Sequence, residues 1–499
     1  MLELDGRTLT YEVFRDTCLK PNRPAIIRTA CFDASSGICF DLAALKRRLS
    51  PRELCRRLGS QTLTPVYSVS STSQVTSCDS TSAAREGRHH ELPASLRDEK
   101  GEADEEGCCK MVPLGAVLHS WATSTSAAAR PLSPSRVYYL KDWHLQAALE
   151  STAATATAAT PSATSSRLCE YAKCRASGTH GDELYHVPRF LGTDWMDSFC
   201  CSHTMPSNGV LKKTPSAHDT ESCAQVGFGN GESDYRFCYI GPVGSWTPLH
   251  CDVFGTYSWS FNVCGDKHWF FPTVAGNAYL HSHLLPHYPT PPDLRVLTGF
   301  EIEALVQHPG DLVFVPAFFY HQVHNITGEL FPLPIGEGSA AENRGGLDAC
   351  GSLVSAEADA HVWAELTVSL NHNWCNAFNV ARMTEAFLAD AQQLASHLSV
   401  ADLAVICDTH DPAVWRQFAD RMLHNGTNWS FVSMTCFLDH CLTQLDSGTD
   451  VAVEAESDHI AVADEVHRLR DRVAEAYLHL LDEKRPSCRG RGKREGGEQ

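Results

Sequence analysis

The 499-residue sequence lacks several patterns that define common protein classes. None of its 21 cysteines belongs to a Cys-x-x-Cys pair, which argues against zinc-ribbon and thioredoxin-like proteins. No apolar run approaches the roughly 18 residues that span a bilayer, and no basic start with an apolar stretch opens the chain. Because the cysteines are odd in number and show no repeating framework, we expect reduced thiols in a cytoplasmic protein, with the nucleus as the alternative, and no membrane partner.

Basic residues are also too few to balance the acidic ones. The chain has 41 Lys and Arg against 60 Asp and Glu, and its net charge is -19. Affinity for nucleic acid comes mainly from Lys and Arg, so we expect no direct nucleic-acid binding. A partner with a basic surface is easier to accommodate. Hydrophobic residues make up 43% of the chain, enough for a sizeable core.

Composition divides the chain into five segments. They are an N-terminal helical and strand segment (1–67), a mostly disordered insertion (68–135), a barrel domain (136–380), a C-terminal helical region (381–483) and a disordered basic tail (484–499). Within the barrel domain, the low-complexity or polar stretches 151–166, 203–233 and 328–362 are predicted to be flexible insertions.

Short β-rich runs separated by Gly and Pro occupy the middle of the chain. They are 235–240, 257–264, 267–271, 311–315, 321–326 and 366–370. Many short strands with such turns predict a jelly roll, that is, a double-stranded β-helix, within an α+β protein.

Helical periodicity appears at 41–58 and returns after residue 380, at 382–398, 412–424 and 460–482. The last stretch carries an apolar stripe with steps of three or four residues, formed by Val462, Val466, Leu469, Val473, Tyr477 and Leu480. We expect this stripe to pack on the barrel. The alternative is a homodimer through the C-terminal helices.

A metal-binding pattern lies in Thr247-Pro248-Leu249-His250-Cys251-Asp252. On a strand, residues i and i+2 share a face, so His250 and Asp252 are predicted to lie side by side. His321 would come from a distant strand. Two His and one carboxylate leave three metal positions open, as in non-haem Fe(II) oxygenases, and these can hold a 2-oxoacid and dioxygen. A second such pair, His180-Gly181-Asp182, lies in a polar stretch and is expected to be accidental.

A lysine follows the metal pattern closely. Residues 257–263 alternate large apolar and smaller polar side chains, as in a half-buried strand. Gly265-Asp266 then predicts a tight hairpin turn, and Lys267 would share an inward face with Trp269 and Phe271. A buried ammonium requires an anionic partner, for which the far carboxylate of 2-oxoglutarate is suitable. The alternative is a solvated turn lysine.

These residues resemble the JmjC family of 2-oxoglutarate oxygenases, through Thr-x-x-His-x-Asp at 247–252, Gly-x-Lys at 265–267 and Tyr-His-Gln-Val at 320–323. The resemblance implies that Fe(II) is bound at the catalytic centre by His250, Asp252 and His321. It implies that the cosubstrate 2-oxoglutarate is bound by Thr247, Lys267, Tyr139, Ser260 and Asn371. Tyr138 is the neighbouring alternative to Tyr139.

Within the family, the chain most resembles the protein lysyl hydroxylases that act on the eukaryotic translation release factor. The resemblance is carried by 139–144, 241–248, 257–260 and 369–374. It implies a protein substrate with an exposed Lys, and O2-dependent hydroxylation coupled to conversion of 2-oxoglutarate into succinate and carbon dioxide. The chain departs from the family at Ala317-Phe318-Phe319, where Ser-Gly-Trp is usual.

Three other functions remain open from the sequence. An N-methyl-lysine demethylase would use the same cofactors, but no regularly spaced Cys/His zinc module of a chromatin reader is present. A cupin-like binding protein without catalysis is the second. A zinc protein built on His281-Ser282-His283 and Cys200-Cys201-Ser202-His203 is the third and the weakest, because these clusters lack paired spacing.

Overall fold

The computed structural model describes residues 1–33, 37–70, 109–124, 136–157, 183–202, 235–284, 293–334, 362–446 and 456–481. Several predictions lie outside these residues. They concern the His180-Gly181-Asp182 pair, the insertion 203–233, most of the insertions 68–135 and 328–362, and the tail 484–499.

Sixteen strands lie within the described residues. In chain order they are β1 (Leu2–Asp5), β2 (Ala25–Arg28), β3 (Phe32–Asp33), β4 (Gly37–Ile38), β5 (Leu63–Ser70), β6 (Cys109–Pro113), β7 (Arg136–Trp143), β8 (Arg236–Pro242), β9 (Trp246–His250), β10 (Tyr257–Cys264), β11 (Asp266–Pro272), β12 (Ile302–Gln307), β13 (Leu312–Val315), β14 (His321–Thr327), β15 (Glu329–Pro332) and β16 (Trp363–Trp374). The larger sheet has ten strands, in the order β1-β2-β13-β10-β16-β8-β7-β5-β6 with β15 also on β16. The smaller sheet runs β12-β11-β14-β9. The prediction of a double-stranded β-helix is confirmed.

The predicted hairpin between β10 and β11 is wrong. Strand β10 pairs with β13 and β16 in the larger sheet, whereas β11 pairs with β12 and β14 in the smaller one. The chain therefore crosses between the sheets at Gly265, which has a φ of 71°. A Cβ at this position would lie 2.4 Å from the carbonyl oxygen of Thr327, so both the backbone conformation and the close approach require glycine.

Strand β10 is buried on both faces, not half-buried as its alternation predicted. Its large side chains, such as Trp259 and Phe261, belong to the main hydrophobic core outside the barrel. The small polar side chains of β10, such as Ser258 and Ser260, line a cavity inside the barrel. The polar half of the pattern therefore marks a cavity wall rather than a solvent-exposed face.

The described helices flank the sheets and dominate the C-terminal region. In chain order they are α1 (Tyr11–Phe14), α2 (Leu42–Arg48), α3 (Pro51–Leu58), α4 (Leu114–Ser124), α5 (Leu145–Thr157), α6 (Trp195–Ser202), α7 (Val274–Tyr279), α8 (Val380–His397), α9 (Val400–Cys407), α10 (Pro412–Thr427), α11 (Phe431–Asp446) and α12 (Glu456–His479). The predicted helix at 41–58 is two helices, because Ser50 caps α3 and Pro51 occupies its first turn. Helices α9 and α11 were not predicted.

The apolar stripe of α12 is used within the chain. Val466, Leu469 and Val473 are almost fully buried, and α12 packs against α8 and α11 rather than on the barrel itself. The predicted packing of this stripe on the barrel is therefore wrong, because its partners within the chain are helices. A homodimer stays a prediction and would have to use another face of these helices.

The predicted domain boundaries do not coincide with the sheet. Strands β1, β2 and β5 of the N-terminal segment belong to the larger sheet. Part of the predicted insertion 68–135 is ordered, because its residues 109–124 form β6 and α4. Helix α5 likewise runs to Thr157, into the stretch 151–166 that was predicted to be flexible. Ala-rich composition favours helix, which explains this last difference.

Two further observations concern membrane-spanning helices and the redox state of the cysteines. Within the described residues, no helix combines the length and the apolar character needed to cross a membrane. The expectation of reduced thiols is wrong at Cys436, which is disulfide-bonded.

Candidate active site

The three predicted metal ligands meet where two strands of the smaller sheet lie side by side. Strand β9 ends at His250 and β14 begins at His321, and these two residues are directly paired. Asp252 does not lie on the strand, as was predicted, but in extended backbone just before the turn Val253–Gly255. The ligand atoms of the three side chains lie within 4.8 Å of one another. Among the described residues, this is the group of His, Cys, Asp or Glu side chains that could hold a metal ion.

Both histidines present the same ring nitrogen to this centre. The Nδ1 atom of His250 lies 2.8 Å from the carbonyl oxygen of Pro248, and that of His321 lies 3.1 Å from the carbonyl oxygen of Phe319. Each Nδ1 therefore carries the proton and donates it to a carbonyl, which leaves Nε2 for a metal. Burial lowers the pKa of both rings, and for His250 the neighbouring His321 lowers it further. Both rings are consequently in the neutral form that binds metals.

The carboxylate of Asp252 is oriented by a neighbour in β10. The hydroxyl of Ser258 donates a hydrogen bond to its Oδ2 atom. The second oxygen is thereby left to complete a set of two imidazole nitrogens and one carboxylate oxygen. This donor set fits Fe(II) with open positions, and the cavity beside it leaves room for small-molecule ligands.

A cavity between the two sheets contains the metal centre at its wall. The space there that protein atoms do not fill is about 410 Å³, and this volume includes space open to solvent. The lining residues are Tyr139, Tyr239, Thr247, His250, Asp252, Ser258, Ser260, Lys267, Trp269, His321, Val323, Asn371 and Asn373. All eight predicted site residues are in this list, so the structure brings them together around one space.

Lys267 lies in this cavity and is 2% exposed. Its Nζ atom donates a hydrogen bond of 2.5 Å to the hydroxyl of Ser369, and it lies 5.6 Å from the centre of the Tyr239 ring. Burial lowers its pKa from 10.5 to about 7, and no carboxylate of the described residues opposes this effect. A buried ammonium without an acidic partner is unstable by itself, so this position is suited to an anionic ligand.

Tyr139 and not Tyr138 faces the cavity. The Tyr139 side chain is buried and hydrogen-bonds with Thr247 and Asn325, and its burial raises its pKa. Its ring occupies the space that a Cβ at Gly241 would need, since that atom would lie 2.5 Å from the ring. Tyr138, by contrast, packs against the main hydrophobic core. Because successive side chains of β7 point to opposite faces, Tyr139 faces the cavity and Tyr138 does not.

Ser260 and Asn371 form a polar pair across the inner face of the larger sheet. They are direct neighbours in the β10–β16 register, and the Ser260 hydroxyl donates a hydrogen bond of 3.0 Å to Asn371 Oδ1. The hydroxyl of Ser369 lies 3.4 Å from the same oxygen. A chain of polar groups therefore runs from Lys267 along the cavity wall.

Five lining residues were not predicted to belong to the site, although Trp269 was expected on the inward face beside Lys267. Four of them lie two positions from a predicted site residue on the same strand, as Ser258 does from Ser260 and Trp269 does from Lys267. The two-residue period of a strand would have found them. The fifth, Tyr239, comes from the neighbouring strand β8, and only the strand pairing reveals it.

The two proposed zinc clusters do not assemble a metal site among the described residues. His281 instead has its Nε2 atom 2.7 Å from the carbonyl oxygen of Phe318. Cys200 is buried in α6. Neither residue belongs to a group of three potential ligands in the described part of the chain.

Comparison with known proteins agrees with this geometry. Residues 237–328 match the family described as "JmjC domain, hydroxylase". Over 261 residues the chain is 28% identical to "2-oxoglutarate and iron-dependent oxygenase JMJD4" of Homo sapiens, covering 50% of this chain and 40% of the relative. It is 26% identical over 337 residues to "Arginine-specific demethylase JMJ20" of Arabidopsis thaliana, covering 66% and 54%.

A further relative is "JmjC domain-containing protein 1" of Schizosaccharomyces pombe, 32% identical over 163 residues that cover 31% of this chain and 26% of the relative. The matched part thus spans about half or less of the length of each of these relatives. The matched family segment contains β8 to β14 and therefore all three metal ligands. Residues 237–328 of the chain thus match the JmjC domain, and the chain is similar to the 2-oxoglutarate and iron-dependent oxygenases named JMJD4.

Proposed function

We propose that the chain is an Fe(II)- and 2-oxoglutarate-dependent protein hydroxylase. The observation that carries this proposal is the buried amino group of Lys267, which has no acidic partner among the described residues and lies in the same cavity as His250, Asp252 and His321. The group of two histidines and one aspartate fits a divalent metal, and Lys267 fits a carboxylate. A dicarboxylate cosubstrate such as 2-oxoglutarate can bind the metal at one end and Lys267 at the other.

Each proposed ligand has its own residues. His250, Asp252 and His321 would hold Fe(II), which supplies the activation of dioxygen that hydroxylates a substrate C–H while 2-oxoglutarate becomes succinate and carbon dioxide. Lys267 would pair with the far carboxylate of 2-oxoglutarate, and the hydroxyls of Thr247 and Tyr139 would hydrogen-bond to it.

Other lining residues would position the reacting groups. The ring of Trp269 stacks on His321 with 5.6 Å between ring centres. Ser260 and Asn371 present polar atoms along the wall and would orient the cosubstrate. Side chains in such fixed positions would hold the cosubstrate and substrate in the orientation that the reaction requires.

For the substrate, we propose an exposed lysyl side chain of the eukaryotic translation release factor. The resemblance of the sequence to lysyl hydroxylases of that factor supports this choice. The net charge of -19 favours a partner whose surface is basic.

A demethylase is the second candidate, because the Arabidopsis thaliana relative, which is 26% identical over 337 residues, is named an arginine-specific demethylase. Hydroxylation of an N-methyl carbon releases formaldehyde, whereas hydroxylation of a chain carbon does not. The same site chemistry therefore gives distinguishable products. A binding protein without catalysis is the third candidate, and it would turn over no 2-oxoglutarate.

The test combines anaerobically purified protein with Fe(II), 2-oxoglutarate and recombinant release factor, and then admits air. Intact and peptide mass spectrometry should show one added oxygen on a Lys, and the His250→Ala variant should show none. Succinate without modified release factor would keep the oxygenase and reject the substrate. Formaldehyde from methylated peptides would favour the demethylase.

A further inference from the structure

Strand β7 contains an irregularity beside the cavity. Its register with β8 shifts between Leu140 and Trp143, and Asp142 within this bulge has a φ of 57°. A left-handed conformation is unfavourable for residues with a side chain, although Asp and Asn tolerate it better than most. Bulges commonly redirect a side chain near a functional site.

The bulge directs the Asp142 carboxylate to two tyrosines. Its Oδ1 atom accepts a hydrogen bond of 2.5 Å from the hydroxyl of Tyr239, and its Oδ2 atom accepts one of 3.0 Å from Tyr67. The Nζ atom of Lys141 lies 3.6 Å from the same carboxylate. Both oxygens are therefore held, and the carboxylate cannot rotate away from Tyr239 without breaking the other contacts.

Tyr239 connects this carboxylate to the cavity. Its ring lies 5.6 Å from Lys267 Nζ and packs edge-on against Tyr139, with 6.1 Å between ring centres. These are two of the residues proposed above to bind the far carboxylate of 2-oxoglutarate. Burial and the Asp142 charge raise the pKa of Tyr239, so its hydroxyl keeps the proton that it donates.

We propose that Asp142 is a positioning residue for 2-oxoglutarate: it anchors the Tyr239 ring, which in turn holds Lys267 and Tyr139 against the cosubstrate. The inference rests on the proposed function, because it concerns the same cosubstrate. Asp142 itself does not line the cavity. A phenol that donates to a carboxylate also has a more electron-rich ring, which strengthens its attraction for the ammonium beside it.

If Asp142 anchors Tyr239, its removal should lower the affinity for 2-oxoglutarate and leave the affinity for the metal unchanged. In Asp142→Ala and in Tyr239→Phe, the ring loses its anchor, and we expect 2-oxoglutarate to bind about 10-fold more weakly. Asp142→Asn keeps an acceptor for the Tyr239 hydroxyl and tolerates the left-handed backbone, so it should recover most of the affinity. The metal ligands are untouched, so the affinity for Mn(II) should not change.

The experiment uses the full chain loaded with Mn(II), which replaces Fe(II) without turnover. Calorimetry gives the Kd for Mn(II) first and for 2-oxoglutarate second, for the wild type and the three variants. Asp439→Ala is the matched control, because its side chain is similarly exposed, at 43% against 37% for Asp142, and lies in α11. With Fe(II), the KM for 2-oxoglutarate should rise in Asp142→Ala while kcat at saturating cosubstrate stays unchanged.

Each outcome decides between the proposals. Wild-type affinity for 2-oxoglutarate in Asp142→Ala and Tyr239→Phe would overturn the positioning role and leave the proposed function intact. An equal loss of Mn(II) and 2-oxoglutarate affinity would show a general structural role and would overturn it as well. A wild-type protein that binds Mn(II) but no 2-oxoglutarate would reject both proposals.

Discussion

Replacing Lys267 by Met should make the ligand-free protein more stable and remove its affinity for 2-oxoglutarate. The amino group of Lys267 is buried and has no acidic partner among the described residues, so folding opposes its protonation. Met has a similar length and no charge, so it can fill the same space. The folded protein would then no longer contain the group that opposes its folding.

The size of the effect follows from the pKa of Lys267, which burial lowers from 10.5 to about 7. Each unit of pKa corresponds to about 1.4 kcal/mol, so the buried lysine reduces the free energy of unfolding by about 4 kcal/mol at pH 7.5. Loss of the hydrogen bond to Ser369 offsets about 1 kcal/mol of the gain. We therefore expect Lys267→Met to be about 3 kcal/mol more stable at pH 7.5.

This advantage should depend on pH with a defined sign. Between about pH 7 and 10.5, the lysine is protonated in the unfolded chain and neutral in the folded protein. The unfolded state binds more protons there, so the wild type gains stability as the pH rises. By pH 9 the penalty of the buried lysine falls to about 2 kcal/mol, and the difference between the two proteins shrinks to about 1 kcal/mol.

Urea unfolding at pH 7.5 and 9.0, followed by tryptophan fluorescence, measures both differences. Lys46→Met is the control, because Lys46 is 33% exposed and pairs with Glu329, so its removal should bring no gain at either pH. Addition of 2-oxoglutarate with Mn(II) should raise the Tm of the wild type and not that of Lys267→Met. A stability difference that is the same at both pH values would refute the argument, as would a Lys267→Met variant less stable than the wild type.

Three further predictions concern the metal, the loop before the third ligand and the core. His250→Ala should lose Mn(II) binding in calorimetry while its circular dichroism stays that of the wild type. The side chain of Asn277 donates a hydrogen bond to the carbonyl of Phe318 and accepts one from the backbone amide of Tyr320, the residue before His321. Asn277→Ala should therefore misplace His321 and weaken Mn(II) binding about 10-fold. An unchanged Kd for Mn(II) would contradict this. Phe261→Ala, on the outer face of β10, should lower the free energy of unfolding by about 3–5 kcal/mol in urea, and a loss under 1 kcal/mol would contradict its place in the core.

The chemistry-bearing residues could be predicted from the sequence because their spacing is local. Lys267 shares its strand face with Trp269, so the period of a strand suffices to place it. Asp252 lies two residues after His250, just beyond the end of the strand, and its extended backbone still brings it beside His250. The same logic distinguishes Tyr139 from Tyr138 only when the inward face of β7 is known. That face is set by pairing with β8, which no short stretch of sequence reveals.

The errors arose where long-range pairing overrides a local pattern. Gly265-Asp266 has the composition of a hairpin turn, but the flanking strands find better partners in opposite sheets. Strand β12 has only partly buried side chains over most of its length, and its place at the edge of the smaller sheet explains why its pattern is weak. The role of Asp142 was likewise invisible, because it depends on a bulge and on a tyrosine almost a hundred residues away.

The distribution of the core explains how the barrel can hold so polar an interior. A jelly roll normally gains stability by filling its interior with apolar side chains, yet here Ser258, Ser260, Asn371 and Asn373 face inward. The main hydrophobic core lies instead on the other face of the larger sheet, where β10 and β16 pack under the helices. A smaller apolar cluster between the sheets, around Phe271, closes one part of the interior. Because stability comes mainly from outside the barrel, the cavity can hold a lysine that has no acidic partner among the described residues. The helices are therefore as necessary to the site as the strands that carry it.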